Sequence, residues 1–457
     1  MLILGVFGRL DPFALRCKQA IATDTLICSH LSTPMTRNTR THIMNNPRSR
    51  YSWALYDWAN SAFATTVMAA FFPIFWSDYW SGDLSPEEST FWLGAGNSIA
   101  SLVSVILAPI FGAMADAGGL RKRMLAAFAC LGTVATAGLF LVEQGAWPLA
   151  ILLYGIASVG FRSGNVFYDA LLVLVAPASI RHRVSALGFA LGYLGGGLLF
   201  LINVAMTLKP TWFGLADAAS AVRWSFLTVG VWWLVFSLPL FLWVDEPLPK
   251  GQRRRVDITR TFAALGHTFR HLSEYRAAWA FLFAYWLYID GVDTIVMMAA
   301  DYGKKLGFET TILIGAILMI QFIAFPAALV FGRLGERYGP KRGIWIAIVT
   351  YMGVTAYASI MTTPVELLVL AAIIGLVQGG IQSLSRSLFS LLIPQDKNAE
   401  FFGFYNVVGK AAAVIGPILV GFVTLTSGNP RMGIASILIL FALALVFFKR
   451  VEEPHPH

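Results

Sequence analysis

Twelve polar side chains stand where the sequence is otherwise built to exclude water. They are Asp57 and Asn60, then Arg162, Asn165 and Asp169, then Asp290 and Asp293, then Gln378, Gln382 and Arg386, and last Asn406 and Lys410. Guanidinium, ammonium, carboxylate and amide groups in an apolar surrounding can hold a small polar or charged solute. Arg162 or Lys410 would take a carboxylate or another anion. Asp290 or Asp293 would face an amine, or carry a proton, because an isolated carboxylate away from water favours its neutral form. The competing reading is that these charges pair with one another and lock the fold. Metal or nucleophile chemistry finds no support. Cys17, Cys28 and Cys130 are odd in number and lack metal-ligand spacing, and the seven histidines fall in loops and tails. No cofactor and no metal are expected.

The elements that carry these groups are long and apolar. Hydrophobic residues make up 57% of the 457 residues and charged residues 13%, about half the charged share of a soluble domain. Runs of about 20 apolar residues read as membrane-spanning helices, which satisfy their own backbone hydrogen bonds. The expected fold is an all-α membrane protein of twelve transmembrane helices in two pseudo-symmetric six-helix bundles. The spans lie near residues 53–76, 92–115, 123–143, 148–176, 184–206, 223–244, 277–301, 310–332, 343–361, 364–393, 400–426 and 431–449. Residues 1–50 read as an irregular tail that includes an over-long gene start, with 51–245 as the first bundle. A polar linker, 246–276, leads to the second bundle, 277–450, and 451–457 form a short tail.

The net charge of +9 is explained by topology rather than by nucleic acid. With the N-terminus inside, the inner segments hold 26 Lys and Arg and the outer ones 4, which places both termini in the cytoplasm. Short loops point to a bacterial cytoplasmic membrane. The lipid bilayer and a small-molecule substrate are the expected partners, with a proton as a candidate companion, and the chain is expected to be a monomer.

Depth divides the polar groups into two layers, at about 1.5 Å per residue along each helix. Arg162, Asp290, Asp293, Gln378, Gln382 and Lys410 fall near the midplane, with Asn60 and Asn165 pointing into the same cavity. Asp57, Asp169 and Arg386 fall about 10 Å towards the cytoplasm. The midplane layer is assigned to substrate or coupling. The other reads as a gate in which Asp57 and Asp169 meet Arg386 across the halves. Ser185, Asn203 and Gln321 read as satisfied packing groups, and the glycines at 192, 195, 196 and 197 as close helix packing.

The halves repeat. Gly112, Asp116, Gly119, Arg121 and Lys122 follow the second span, and Gly332, Glu336, Gly339, Lys341 and Arg342 follow the eighth, 220 residues on. Asp116, Arg121, Glu336 and Lys341 are assigned to the cytoplasmic gate, the acid of each loop meeting bases or a helix N-terminus. Two repeated six-helix halves are a transporter architecture. The loops resemble the signature loops of the major facilitator superfamily, although Ala117 replaces a usual base in the first. Tyr56-Asp57-Trp58-Ala59-Asn60-Ser61-Ala62-Phe63, Tyr288-Ile289-Asp290-Gly291-Val292-Asp293-Thr294, the Gln378–Phe389 segment and Phe402-Gly403-Phe404-Tyr405-Asn406 are similar to its vacuole effluxer, autophagy-related protein 22-like branch. Asp169 departs from that pattern, standing where a neutral amide is expected. The resemblance implies twelve helices, alternating access and, from its fungal members, amino-acid export. The expected function is therefore secondary active transport of a small polar solute, with a membrane enzyme or a non-transporting sensor on the same fold as the alternative. No Walker-type phosphate loop, zinc-protease helix or nucleophile elbow is present in the sequence.

Overall fold

The first helix shows how each span is built. Asn46 accepts from Arg48 N with its side chain, Pro47 fills the first turn, and the apolar residues that follow propagate helix α1, Pro47–Ala62. The helix continues in π geometry through Phe63–Phe71, one α turn at Phe72–Phe75, and a second π stretch at Trp76–Trp80. The structure, a computed structural model, describes residues 46–84, 86–246, 275–394, 397–412 and 415–452. The expected irregular tail up to residue 45, the linker core 247–274 and the tail from 453 lie outside the described residues. Residues 46–50, expected in that tail, instead open α1.

The chain then runs through α2 (Pro86–Gly118), α3 (Arg121–Gly138), α4 (Trp147–Val175), α5 (Arg181–Leu208) and α6 (Ala218–Trp243). After the linker come α7 (Arg276–Lys305), α8 (Thr310–Tyr338), α9 (Pro340–Ala358) and α10 (Pro364–Leu392). The eleventh span is described in two segments, α11 (Asn398–Ala412) and α12 (Ile415–Ser427), on either side of residues outside the description, and α13 (Pro430–Phe448) completes the fold. Nine helices among the described residues are long and apolar enough to cross a membrane. The remaining three spans are α1 with its π stretches, α9, and α11 with α12. The fold is therefore the twelve-span, two-bundle, all-α membrane architecture.

Helix ends follow local chemistry. Asp217 caps α6 through Ser220 N, Asn429 caps α13 through Arg431 N, and Thr363 with Glu366 forms a capping box at α10. Gly119 and Gly339 have φ of 62° and 84°, a region open to glycine but strained for other residues. They turn the chain at the same place in the two repeated loops.

An even number of spans puts the start of α1 and the end of α13 on one side, called here the terminal face. The side-chain contacts agree. Arg48 at the start of α1 stacks on Trp243 at the end of α6, and Lys341 at the start of α9 reaches Lys449 O and Val451 O past the end of α13. The halves meet through α5 against α8 and α10, and through α11 against α2 and α4. Within the first half α1 lies against α5 and α6. There the glycine reading holds as packing: a Cβ on Gly192 or Gly195 would come within 2.6 Å of Ser61 Oγ or the Trp58 ring.

Candidate functional site

Arg386 is the centre of the site. It leaves α10 one and a half turns before the helix ends and is 2% exposed. A guanidinium has five N–H donors, and here all five are used. Nε donates to Ser185 Oγ at 2.9 Å. Nη1 donates to Asp57 Oδ2 at 3.3 Å and Asp169 Oδ1 at 3.2 Å, and Nη2 to Asp57 Oδ2 at 3.2 Å and Ser185 O at 2.9 Å. The guanidinium also lies 4.1 Å from the Phe189 ring centre, with Trp53 and Tyr168 at 4.9 and 5.3 Å, a geometry in which ring quadrupoles attract the cation.

The carboxylates are held as firmly. Tyr168 donates its hydroxyl to Asp57 Oδ2 at 2.8 Å, and Asn406 donates to Asp169 Oδ2 at 3.1 Å. Trp53 stacks on Tyr168 with centroids 4.4 Å apart and donates its indole N–H to Tyr168 O. Gly188 leaves the necessary room, since a Cβ there would lie 2.6 Å from Asp57 Oδ2 and 3.0 Å from Arg386 Nη2. Five helices, α1, α4, α5, α10 and α11, thus meet at one buried cluster of two carboxylates and one guanidinium. The two carboxylates come from one half and the guanidinium from the other.

Towards the terminal face the halves remain zipped. Arg181 donates to Ser390 O at 3.0 Å and His182 Nδ1 meets Ser387 Oγ at 2.8 Å, while at the level of the cluster itself Ser185 donates to Ser383 O at 2.8 Å. His182 therefore corrects the reading of all seven histidines as loop and tail residues: it is a buried residue of the first turn of α5. Ser185 reads as more than a packing group, because it holds Arg386 with both its hydroxyl and its carbonyl.

The repeated loops are used differently. Asp116 pairs with Arg121 at 2.7 Å and accepts Ala399 N and Glu400 N at 3.1 and 2.9 Å, which places a carboxylate on the N-terminus of α11 in the other half. Gly112 permits the approach, since a Cβ would lie 2.4 Å from Ala399 O. Glu336 pairs with Arg183 at 3.4 Å, an exposed contact of small energetic weight. In the first loop Lys122 Nζ reaches Val244 O at the end of α6. In the second, Lys341 Nζ reaches Val451 O after α13. Each loop thus ties down the last helix of its own half. Glu246, unremarked in sequence, accepts Arg121 N and Lys122 N at 3.1 and 3.0 Å and caps α3.

The midplane residues divide. Asn60 donates to Asn165 Oδ1 at 2.7 Å, joining α1 to α4, and Tyr193 donates to Gln382 Oε1 at 2.6 Å, joining α5 to α10. Asp290, 1% exposed, accepts Gly416 N with both oxygens at 3.0 and 3.1 Å, joining α7 to α12. Arg162 is half-buried, and the Asp293 carboxylate acts on its charge through space. Arg162 Nε and Gln378 Oε1 are buried atoms without a hydrogen-bond partner among the described residues. Lys410 lies on α11, but its side chain is outside the described residues. Among those residues no group of three His, Cys, Asp or Glu could hold a metal.

Twelve spans in two halves, two matching loops and an ion cluster buried between the halves define a membrane protein of the major facilitator fold. Solved structures agree on the fold: the human organic anion transporter MFSD10 superposes with a TM-score of 0.69 at 15% identity, covering 88% of this chain and 100% of that one. The fucose transporter FucP in its outward conformation gives a TM-score of 0.65 at 13% identity, covering 90% and 100%. The chain belongs to the family described as Vacuole effluxer Atg22 like, whose model matches residues 89–455. It is 37% identical to the uncharacterized MFS-type transporter YxiO of Bacillus subtilis, over 88% of this chain and 94% of that protein. It is 23% identical to autophagy-related protein 22 of Eremothecium gossypii, over 87% and 89%. The relatives and the structural neighbours are transporters.

Proposed function

We propose that the chain is a secondary active transporter that moves a small polar solute, an amino acid as the first candidate, by alternating access. The observation that carries this reading is the Asp57–Asp169–Arg386 cluster. It joins the halves towards the terminal face, and beyond it the half-buried Arg162 and Gln378 keep polar atoms without protein partners among the described residues. A closed gate beside these unbonded polar atoms suits a binding cavity shut from one side. The family's description, vacuole effluxer, supports transport as the activity. The chain acts without enzymatic turnover of that solute.

In this reading Arg162 takes the carboxylate, Asp293 takes the amine or the coupled proton, and Asn60, Asn165, Gln378, Gln382 and Lys410 line the site. Asp290 supports the site by fixing α12 in place. Asp57, Asp169 and Arg386 form the inner gate, and Asp116, Arg121, Glu336 and Lys341 its outer rim. The excess of Lys and Arg assigns the terminal face to the cytoplasm, in a monomer of a bacterial cytoplasmic membrane. The first bundle, opening with α1, runs to 245 and the second from 277 to 450, joined by a linker.

Counterflow of labelled amino acids into proteoliposomes tests this. Uptake by the wild-type chain, lost in Arg162→Ala and Asp293→Asn, is the expected result. Uptake by both variants at the wild-type rate contradicts the midplane assignment. Chemical conversion of the solute without accumulation favours an enzyme.

A further inference from the structure

Between the ion cluster and the midplane lies a contact that the gate does not use. Tyr193 of α5 donates to Gln382 Oε1 of α10 at 2.6 Å. The two helices belong to opposite halves. Tyr193 lies two turns distal to Ser185 on α5, and Gln382 one turn distal to Arg386 on α10, so their bond forms the next layer beyond the cluster. A Cβ on Gly379 would come 3.2 Å from the Tyr193 ring; the ring lies against the α10 backbone, and this fixes the direction of its hydroxyl. One further turn along the same face of α10 is Gln378, whose buried Oε1 has no hydrogen-bond partner among the described residues.

We propose that Tyr193 is a positioning residue that latches the halves through Gln382, and that a hydrogen-bond donor of the solute, entering beside Gln378, displaces it. The inference rests on the alternating-access reading above. Its physical basis is the difference between neutral and charged contacts. Separating Arg386 from its carboxylates leaves buried charges unpaired, which is strongly unfavourable. Separating a hydroxyl from an amide oxygen is cheap when another N–H or O–H takes its place, since the number of hydrogen bonds is conserved. The neutral bond is therefore the step at which a solute can begin to open the closed face. Gln378 Oε1 and Gln382 Oε1, four residues apart, would hold the donor between them. A solute with an ammonium, amide or hydroxyl group fits this subsite.

Spin labels at Arg123→Cys and Arg342→Cys, exposed near the starts of α3 and α9, report separation across the terminal face in the full chain in nanodiscs. Cys17, Cys28 and Cys130 are replaced by serine. Tyr193→Phe, which removes only the hydroxyl, is expected to shift the population towards the longer distance about five-fold. Gln382→Leu should do the same, and the double variant no more than either. An unchanged distribution in Tyr193→Phe, or single shifts that add in the double variant, overturns the latch. A mixture of L-amino acids at millimolar concentration is expected to lengthen the distance in wild type and less in Tyr193→Phe. An absent response in wild type, or an equal response in both, overturns displacement by the solute. Counterflow on the same wild-type preparation separates the two claims: without it the transport reading fails, while the coupling between Tyr193 and Gln382 is read independently of any solute.

Discussion

Arg386 shows what one residue type contributes. A lysine has three donors on a single nitrogen and could not reach both faces of Ser185 and two carboxylates at once. Arg386→Lys is expected to lose transport, and Arg386→Ala to destabilise the closed form by about 3–5 kcal/mol, because two carboxylates would be left buried against one another. Thermal unfolding of the purified protein measures the second effect. Gly188→Ala attacks the same cluster from the other side: the added methyl falls on Asp57 Oδ2. A loss of about 1–3 kcal/mol is expected, and a melting temperature equal to wild type would show that the cluster can shift to make room.

At the scale of elements, spans and their contacts differ in how they are read. Apolar runs and their flanking polar residues made the spans legible in sequence, and the matching glycines at 119 and 339 made the repeat legible. The partner of Asp290 was not: in sequence Asp290 looked like a midplane ligand, and in the structure it accepts Gly416 N–H of α12. A carboxylate in a membrane helix signals that something must compensate it, without saying whether that is a solute, an arginine or a helix end. The test follows from geometry. Asp290→Asn keeps an acceptor for Gly416 N–H and should fold like wild type, whereas Asp290→Ala leaves that donor unsatisfied and should cost about 1–3 kcal/mol. Equal behaviour of the two variants would show that the Gly416 contact carries no stability. The π stretches of α1 were also invisible, since Phe63–Phe71 has the apolar composition of any span.

At the scale of the molecule, sequence placed Asp57, Asp169 and Arg386 at one depth, and the structure brings them within hydrogen-bond distance across the two halves. Depth along a helix is readable because the rise per residue is fixed. Rotation about the helix axis and the identity of the facing helix are set by packing, so Ser185, Tyr168, Phe189 and Tyr193 carried no signal of their own. The aromatic cage around Arg386 in particular is assembled from three separate helices. The rim is expected to be uneven. Asp116→Ala removes a carboxylate from a helix N-terminus in the other half and should weaken closure measurably. Arg183→Ala removes an exposed pair and should change stability by less than about 1 kcal/mol.

In the proposed function the Asp57–Asp169–Arg386 cluster shuts the cavity from the terminal face. The reaction rate of a cysteine at Asn165→Cys with a membrane-impermeant thiol reagent applied from that face, in a chain otherwise free of cysteine, tests this. Slow reaction is expected with Arg386 in place, and at least about ten-fold faster reaction in Arg386→Ala. Equal rates in the two proteins would contradict it.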